Sequence, residues 1–141
     1  MTVSTFPLKS LPGKVIYQGS WDSPVEAYFP PTIIEMAPSA ELWTEELFGP
    51  IACVWKFELE QSAVLAANHS SFGLGAAIFS KDILRAQKLA MSLNVGMVAI
   101  NDFLKSDPSL PFGGVKQSGF GRELSYFGMQ EFANIKTLIG V

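Results

Sequence analysis

The clearest hydrophobic pattern lies in the middle of the chain, where short apolar runs alternate with helical segments. Ile51–Phe57 is an apolar run of strand length whose only charge is Lys56. From Asp82 to Asn94, apolar residues recur at spacings of three and four, as on a helix with one buried face. The predicted order is strand 51–57, helix 60–68, strand 75–79, helix 82–94 and strand 97–100. Strands that alternate with helices pair in parallel through right-handed crossovers, so we expect an α/β fold whose mostly parallel sheet is covered by helices.

The start of the chain carries two β-rich runs, Lys14–Gly19 and Tyr28–Met36. The Pro30-Pro31 pair lies inside the second run and removes two backbone donors. It therefore indicates a sheet edge or the beginning of a strand rather than a central strand.

The end of the chain predicts a loop from Asn101 to Gly121, a helix over Arg122–Ala133 and a last strand over Ile135–Gly140. An unpaired apolar strand at a chain end is a template for another chain. Two interpretations stay open: a strand that pairs with a partner, or a buried edge of the same sheet.

Single residues sharpen the ends of the second predicted helix. Ser80 or Asp82 is placed to cap its first amides, and Gly96 stands where a C-terminal stop is expected.

Composition places the chain among globular proteins: 48% of its 141 residues are hydrophobic and 16% are charged. The net charge of -3, without a basic cluster, argues against a nucleic-acid partner. One cysteine and one histidine do not make a tetrahedral zinc site, so we expect no metal. No apolar run reaches the roughly 20 residues of a membrane span. Without a secretory signal in the first residues, we expect a cytoplasmic protein.

Few residues suggest chemistry by themselves. Cys53 lies within an apolar strand, where burial suppresses the thiolate, so an inert core thiol is the favoured interpretation. His69 follows a helix among polar residues and fits a surface or capping role.

The glycine-rich stretch from Gly113 to Gly121 is not a phosphate-binding loop. A Walker phosphate loop needs Gly-Lys-Ser/Thr, whereas Lys116 is followed by Gln117. Gly119 and Gly121 begin a GxGxxG dinucleotide-binding pattern, but Leu124 occupies its third glycine position and no predicted strand precedes it. Tight turns or close backbone contacts explain these glycines better.

Glu45 and Glu46 precede a turn at Gly49-Pro50 and fit a solvated surface. The alternative is a sugar site, because a carboxylate accepts hydrogen bonds from two ribose hydroxyls and Phe48 offers a ring beside it.

Four groups of motifs occur in order along the chain. They are Glu45-Glu46-Leu47-Phe48-Gly49-Pro50; Ala67-Asn68 with Phe72-Gly73-Leu74; Gly96-Met97-Val98-Ala99-Ile100-Asn101; and Pro111-Phe112-Gly113-Gly114 with Lys116, Ser118-Gly119 and Gly121-Arg122-Glu123. Together they closely resemble the C-terminal part of the NAD(P)-dependent aldehyde dehydrogenase superfamily, and its succinate-semialdehyde dehydrogenases in particular. The resemblance runs from about Tyr28 to the end of the chain.

The resemblance implies a role for several of these residues in an aldehyde-oxidising site. Glu46 holds the nicotinamide ribose of NAD or NADP, and Phe48 packs near the nicotinamide ring. Phe112 lines the aldehyde tunnel, the loop from Asp102 to Leu110 with its Phe103 shapes substrate choice, and Asn101 orders the floor of the site. Glu123 supports the general base in a proton-exit path.

The same resemblance implies a domain organisation. Residues 1–134 correspond to a partial catalytic domain, with 1–27 a poorly defined segment, and residues 135–141 correspond to an oligomerisation strand. The family's nucleophile is the cysteine of a Gly-Gln-x-Cys string, which these residues lack, and Cys53 stands where the family has no catalytic cysteine.

The general-base glutamate and the Rossmann-type cofactor domain are expected upstream of these residues. We therefore expect a chain that is inactive alone. Its expected partners are further copies of itself, in a homo-oligomer, or full-length aldehyde dehydrogenase subunits. The alternative is a non-catalytic interaction protein that docks onto full-length aldehyde dehydrogenase subunits.

Overall fold

The computed structural model describes residues 13–20 and 29–140. Most of the predicted N-terminal segment 1–27 and the first residue of the run 28–36 lie outside these residues. The chain divides into two compact units, residues 1–62 and 63–141, and each unit is described by itself.

The first unit is built on a three-stranded sheet. Its strands are β1 (Lys14–Gln18), β2 (Thr32–Glu35) and β3 (Ile51–Val54), in the order β1-β2-β3. β1 pairs with β2 antiparallel, and β2 pairs with β3 in parallel. Because β2 is central and begins directly after Pro31, the proline pair marks the beginning of a strand, and its interpretation as a sheet edge is wrong.

The core of the first unit lies on one face of β2. Side chains alternate between buried and half-buried along the strand, and Ile34 and Met36 are 0% and 1% exposed. Half-buried residues pack against this pair: Ala40, Leu42, Trp43, Ile51 and Cys53. Burying two side chains of this size contributes about 1.5–3 kcal/mol each to folding.

The second unit contains most of the helices. A short 3-10 helix (Glu41–Thr44) belongs to the first unit, between β2 and β3. The remaining elements along the chain are α1 (Glu60–His69), β4 (Phe72–Gly73), β5 (Gly75–Ile78), α2 (Ile83–Ala90), β6 (Met97–Ile100), β7 (Val115–Lys116) and α3 (Ser125–Gln130). The boundary between the units falls within α1. Along the chain, β5 precedes α2 and β6 follows it, and the two strands pair in parallel. This confirms the predicted crossover through α2.

The predicted single sheet is wrong for the described residues. β3 pairs with β2, β5 pairs with β6, and β4 pairs with β7, so three small sheets replace one. Apolar runs identify strands, but the partner of a strand depends on contacts between distant segments.

α2 begins as predicted and ends earlier. Asp82 caps the helix, because its Oδ1 accepts a hydrogen bond from the backbone N–H of Arg85 at 2.9 Å. The helix stops at Ala90, so Gly96 is not its C-terminal stop. Gly96 instead donates its N–H to the Gly73 carbonyl at 3.0 Å, and a Cβ at this position would overlap the carbonyl oxygen of Gly113.

The last elements differ most from the prediction. α3 is shorter than the predicted helix 122–133 because Glu123 is paired with Phe112, and Leu124 and Ser125 have left-handed φ values of 63° and 55°. A short strand, β7, lies within the glycine-rich stretch and precedes Gly119 and Gly121, where no strand was expected. Residues 133–140 form no strand within the described chain, so the interpretation as an edge of the same sheet is wrong.

Candidate functional site

One candidate site lies on the turn that leads into β3. Glu46 is exposed, and Phe48, two residues later, is 84% exposed. A carboxylate that accepts hydrogen bonds and an aromatic ring that offers an apolar face are thus presented to solvent from the same turn.

Short backbone hydrogen bonds hold this turn. The N–H of Gly49 donates to the Leu47 carbonyl at 2.7 Å, and the N–H of Ile51 donates to the Gly49 carbonyl at 2.8 Å. The Pro50 carbonyl accepts from the N–H of Thr32 at 2.9 Å, which joins the turn to the central strand. The position of the turn is therefore fixed relative to β2, the central strand of the first unit.

A second candidate site lies in the second unit, where Phe112 and Glu123 form an antiparallel bridge. Each donates its backbone N–H to the carbonyl of the other at 2.8 Å. The bridge brings together two residues that the sequence separates by eleven positions. Phe112 is half-buried and Glu123 is exposed.

Two basic side chains, whose roles the sequence did not reveal, fix the glycine turns between Phe112 and Glu123. Arg122 donates from Nη1 to the Gly114 carbonyl at 2.9 Å and to the Gly121 carbonyl at 2.6 Å. Lys116 donates from Nζ to two carbonyls at the C-terminal end of α1, at 3.0 Å to Asn68 and at 2.9 Å to Ser70. The sequence signal that could have indicated these roles is a basic residue next to glycine turns, because the backbone carbonyls of a turn need hydrogen-bond donors.

Asn101 clamps the C-terminal ends of β5 and β6. Its Oδ1 accepts from the N–H of Ser80 and its Nδ2 donates to the Ser80 carbonyl, both at 2.8 Å. Asn101 also has φ 54°, which asparagine tolerates better than most residues. The side chain thus sets the direction in which the chain leaves the sheet.

Carboxylates order the loop that follows Asn101. Asp102 accepts a hydrogen bond from the N–H of Phe103 and forms an ion pair with Lys105 at 3.1 Å. Both contacts lower the pKa of Asp102, and the backbone hydrogen bond is the largest single cause. Asp107 accepts from the hydroxyl of Ser109 at 2.6 Å and from its N–H at 2.8 Å, which lowers the pKa of Asp107.

The ring of Phe103 is 76% exposed and contacts the ring of Phe79, with the two centroids 5.8 Å apart. The contact anchors an otherwise exposed ring at the head of this loop.

An open apolar groove of about 590 Å³ runs beside the loop and α3. Its walls include Pro108, Glu123, Tyr126, Met129 and Phe132. Glu123, Ser109 and Ser125 are polar residues that line this largely apolar groove.

The other two candidates are Cys53 and His69. Cys53 is half-buried in β3, and burial raises the pKa of its thiol, in agreement with an inert core thiol. His69 is exposed at the last position of α1. In the part of the chain that the structure describes, no three His, Cys, Asp or Glu side chains are placed to hold a metal ion. No helix among residues 13–20 and 29–140 is long and apolar enough to cross a membrane.

Comparison with known proteins identifies the family. The model of the aldehyde dehydrogenase family matches residues 9–138, so the chain belongs to this family. It is 51% identical over 111 residues to the NADP(+) succinate-semialdehyde dehydrogenase of Deinococcus radiodurans. The matched residues make up 78% of this chain and 23% of that protein.

Two further similar proteins are also aldehyde dehydrogenases. The chain is 46% identical to the NAD(P)+ succinate semialdehyde dehydrogenase of Escherichia coli over 79% of its own length and 24% of the relative's. The crystal structure of succinic semialdehyde dehydrogenase from Streptococcus pyogenes in complex with NADP+ superposes with a TM-score of 0.79 at 37% identity, over 86% of this chain and 27% of that one. The chain thus has the fold of an aldehyde dehydrogenase over its matched part and spans about a quarter of the length of these relatives.

Proposed function

We propose that this polypeptide forms the C-terminal part of the catalytic domain of an NAD(P)-dependent aldehyde dehydrogenase. The bridge between Phe112 and Glu123 carries the proposal, because it assembles two of the implied site residues in a chain with this family's fold. The names of the relatives favour a semialdehyde with a terminal carboxylate as substrate.

Glu46 and Phe48 are proposed to hold the nicotinamide half of the cofactor. An exposed carboxylate suits the two hydroxyls of a ribose, and an exposed ring two residues away suits the face of a nicotinamide. When bound, NAD(P)+ accepts the hydride that leaves the aldehyde carbon.

The candidate site of the second unit is proposed to contact the aldehyde. Phe112 and Phe103 offer apolar surface to the substrate, and Asn101 orients the loop that carries Phe103. Glu123 offers an exposed carboxylate to a proton path.

We propose that the 141 residues do not oxidise aldehydes by themselves. Cys53 is their only thiol, and its raised pKa suppresses the nucleophilic thiolate. The purified chain is expected to show no NAD(P)+-dependent oxidation of succinate semialdehyde above a blank, and turnover that survives further purification would contradict this expectation.

A covalent chimera tests the assignment of the site. The matched part of the Deinococcus radiodurans enzyme is replaced by the corresponding residues of this chain, and NADP+-dependent oxidation is measured. Glu46→Gln in the chimera is expected to lower kcat/KM by about tenfold or more, because a charge-assisted hydrogen bond is worth about 1.5–3 kcal/mol.

Glu45→Gln is the matched control, since Glu45 is an equally exposed neighbour, and it is expected to change kcat/KM by less than about twofold. A folded but inactive chimera, or equal effects of the two substitutions, would count against the assignment.

A second candidate function is a non-catalytic role in which residues 135–140 dock onto full-length aldehyde dehydrogenase subunits. The favouring observation is that Ile135, Leu138 and Ile139 are 84%, 88% and 96% exposed. Co-purification with full-length subunits should be lost with Ile139→Pro and retained with Lys136→Ala. A chain that ignores such subunits would exclude this function.

A further inference from the structure

Two consecutive residues with strained backbone conformations lie directly after Glu123. Leu124 has φ 63° and ψ 172°, a combination that is found almost exclusively at glycine, and Ser125 has φ 55°. A Cβ atom makes such values costly, because it comes too close to the neighbouring backbone. The strained pair of Leu124 and Ser125 therefore stores free energy in the folded chain.

The side chain of Leu124 does not offset this cost by hydrogen bonding. Among the described residues, positive φ values at non-glycine positions outside the strained pair occur at Asn101 and Lys116. The side chains of both residues donate to the carbonyls of distant residues. A leucine side chain has no donor or acceptor. The contacts that hold Leu124 must therefore come from the backbone around it.

Backbone hydrogen bonds tie the strained pair to the loop from Asp102 to Leu110. The N–H of Ser125 donates to the carbonyl of Pro108, inside that loop, at 3.0 Å. Directly before the strained pair, Glu123 exchanges two hydrogen bonds of 2.8 Å with Phe112, two residues after the loop. These three bonds keep the strained pair and the end of the loop together.

Helix α3 closes on the same backbone. The N–H of Gly128 donates to the carbonyl of Leu124 at 2.8 Å. Gly128 is buried, and a Cβ at this position would lie 2.8 Å from the carbonyl carbon of Glu123. The helix thus packs against this backbone without room for a side chain between them.

We propose that Leu124 and Ser125 form a strained joint, through which the end of the loop from Asp102 to Leu110 and the backbone of Glu123 open and close as one unit. Strain raises the free energy of the closed state and favours opening, while the three hydrogen bonds favour closing. The inference rests on the proposed function for its role in catalysis. In that role, one opening step releases both the loop that contacts the aldehyde and the carboxylate of the proton path.

Leu124→Gly tests the strain. Glycine adopts these φ and ψ values without a steric cost, so the closed state should become more stable relative to the open state. Leu124→Ala is the matched control, because it also removes the side chain beyond Cβ but keeps the Cβ that causes the strain. The comparison of the two variants therefore isolates the strain from the loss of side-chain contacts.

Hydrogen exchange in the 141-residue chain is the measurement. The amides of Phe112, Glu123 and Ser125 are followed by NMR, and their rates are corrected for the intrinsic rates of each sequence. Exchange is expected to be about threefold slower or more in Leu124→Gly than in Leu124→Ala, by the same factor at all three amides, because relief of strain outweighs the entropy of glycine.

The amide of Asn101, which donates to the Ile78 carbonyl, is the reference outside the joint and should not change. Equal rates in the two variants, a change at only one of the three amides, or an equal change at Asn101 would overturn the proposal.

Gly128→Ala tests the same joint in the opposite direction. The added methyl group would overlap the backbone of Glu123, so the three amides should exchange about fivefold faster or more. Helix propensity alone predicts the reverse, because alanine stabilises a helix relative to glycine. Gln130→Ala changes an exposed residue of α3 and is the control, which should leave the three rates unchanged.

Slower exchange in Gly128→Ala than in the unchanged chain would contradict the close contact and count against the joint. If circular dichroism shows that Gly128→Ala unfolds the chain, the comparison of the two Leu124 variants decides.

The covalent chimera tests the role of the joint in catalysis. A joint that stays closed should slow the release of product and tighten the apparent binding of substrate. Leu124→Gly is therefore expected to lower kcat and KM together, by about twofold or more relative to Leu124→Ala. Unchanged kcat and KM in an active chimera would reject this role.

The two measurements separate this inference from the proposed function. An inactive chimera counts against the site assignment, while hydrogen exchange in the isolated chain still decides whether the joint is strained and opens as one unit. An active chimera, together with equal exchange in Leu124→Gly and Leu124→Ala, supports the site assignment and rejects the joint.

Discussion

At the scale of single residues, polar side chains fix the backbone of the second unit where hydrophobic burial is scarce. Lys116, with φ 57°, and Asn101, with φ 54°, each adopt a left-handed conformation and each hold the carbonyl of a distant residue. Such conformations cost free energy and persist only where the surrounding contacts compensate for that cost. The hydrogen bonds of these side chains supply those contacts.

Cys53 yields a prediction about reactivity. Because burial raises the pKa of its thiol, alkylation by iodoacetamide near neutral pH should be slow in the folded chain. The same chain in urea is the control and should react about tenfold faster or more, since the thiol is then solvated. Equal rates in the two states would contradict burial of Cys53.

Asp107 yields a prediction about pH. Its pKa is lowered by the hydrogen bonds from Ser109, so its contribution to loop order is complete above the ordinary carboxyl pKa of about 3.9. That contribution is lost as the pH falls through the lowered value. The amide signal of Ser109 in NMR spectra should shift in this acidic range, and Asp107→Asn should abolish the shift. A transition above pH of about 5 would be inconsistent with a lowered pKa.

At the scale of elements, helix ends and close backbone contacts decide the bounds. Asp82 accepts from the N–H of Arg85, so Asp82→Ala should raise the exchange rate of that amide about fivefold, the equivalent of about 1 kcal/mol for a lost cap. Lys81→Ala changes an exposed neighbour outside the cap and should leave the rate unchanged. Equal rates in both variants would show that the cap contributes nothing.

The close backbone contact at Gly96 yields a prediction about stability. A methyl group at this position would overlap the Gly113 carbonyl, so Gly96→Ala should lower the free energy of unfolding by about 1–3 kcal/mol, measured by urea denaturation. Gly49→Ala is the control, because a Cβ there meets only ordinary contacts with Ile51 at 3.9 Å. If the two variants are equally stable, the contact between these backbone segments is looser than described.

At the scale of the whole molecule, the two units differ in what they bury. The first unit encloses Ile34 and Met36, whereas every described residue of β5 and β6 keeps some contact with solvent. Amides of β2 should therefore exchange more slowly than amides of β5 and β6 in the isolated chain. Hydrogen exchange read by mass spectrometry checks this, with residues 134–140, which belong to no helix or strand, as the unprotected reference. Equal protection of the two sheets would contradict the difference in burial.

Sequence patterns predicted the elements better than their partners. β6 was predicted with its observed bounds, and α1 to within one residue, because continuous apolar runs and helical spacing are local signals. The C-terminal helix was predicted too long, since nothing near Glu123 in the sequence reveals its pairing with Phe112. The roles of Arg122 and Lys116 were missed for the same reason, because the carbonyls they bind become neighbours only in the fold.

The sequence by itself determined the family, the alternation of strands and helices, the cap at Asp82 and the motif residues of both candidate sites, because each depends on residues close together along the chain. Only the tertiary structure decided which strands pair, that Gly96 serves close backbone contact rather than a helix end, and that Phe112 lies beside Glu123. Pairing and close contact depend on the free energy of bringing distant segments together, and local patterns do not contain that quantity.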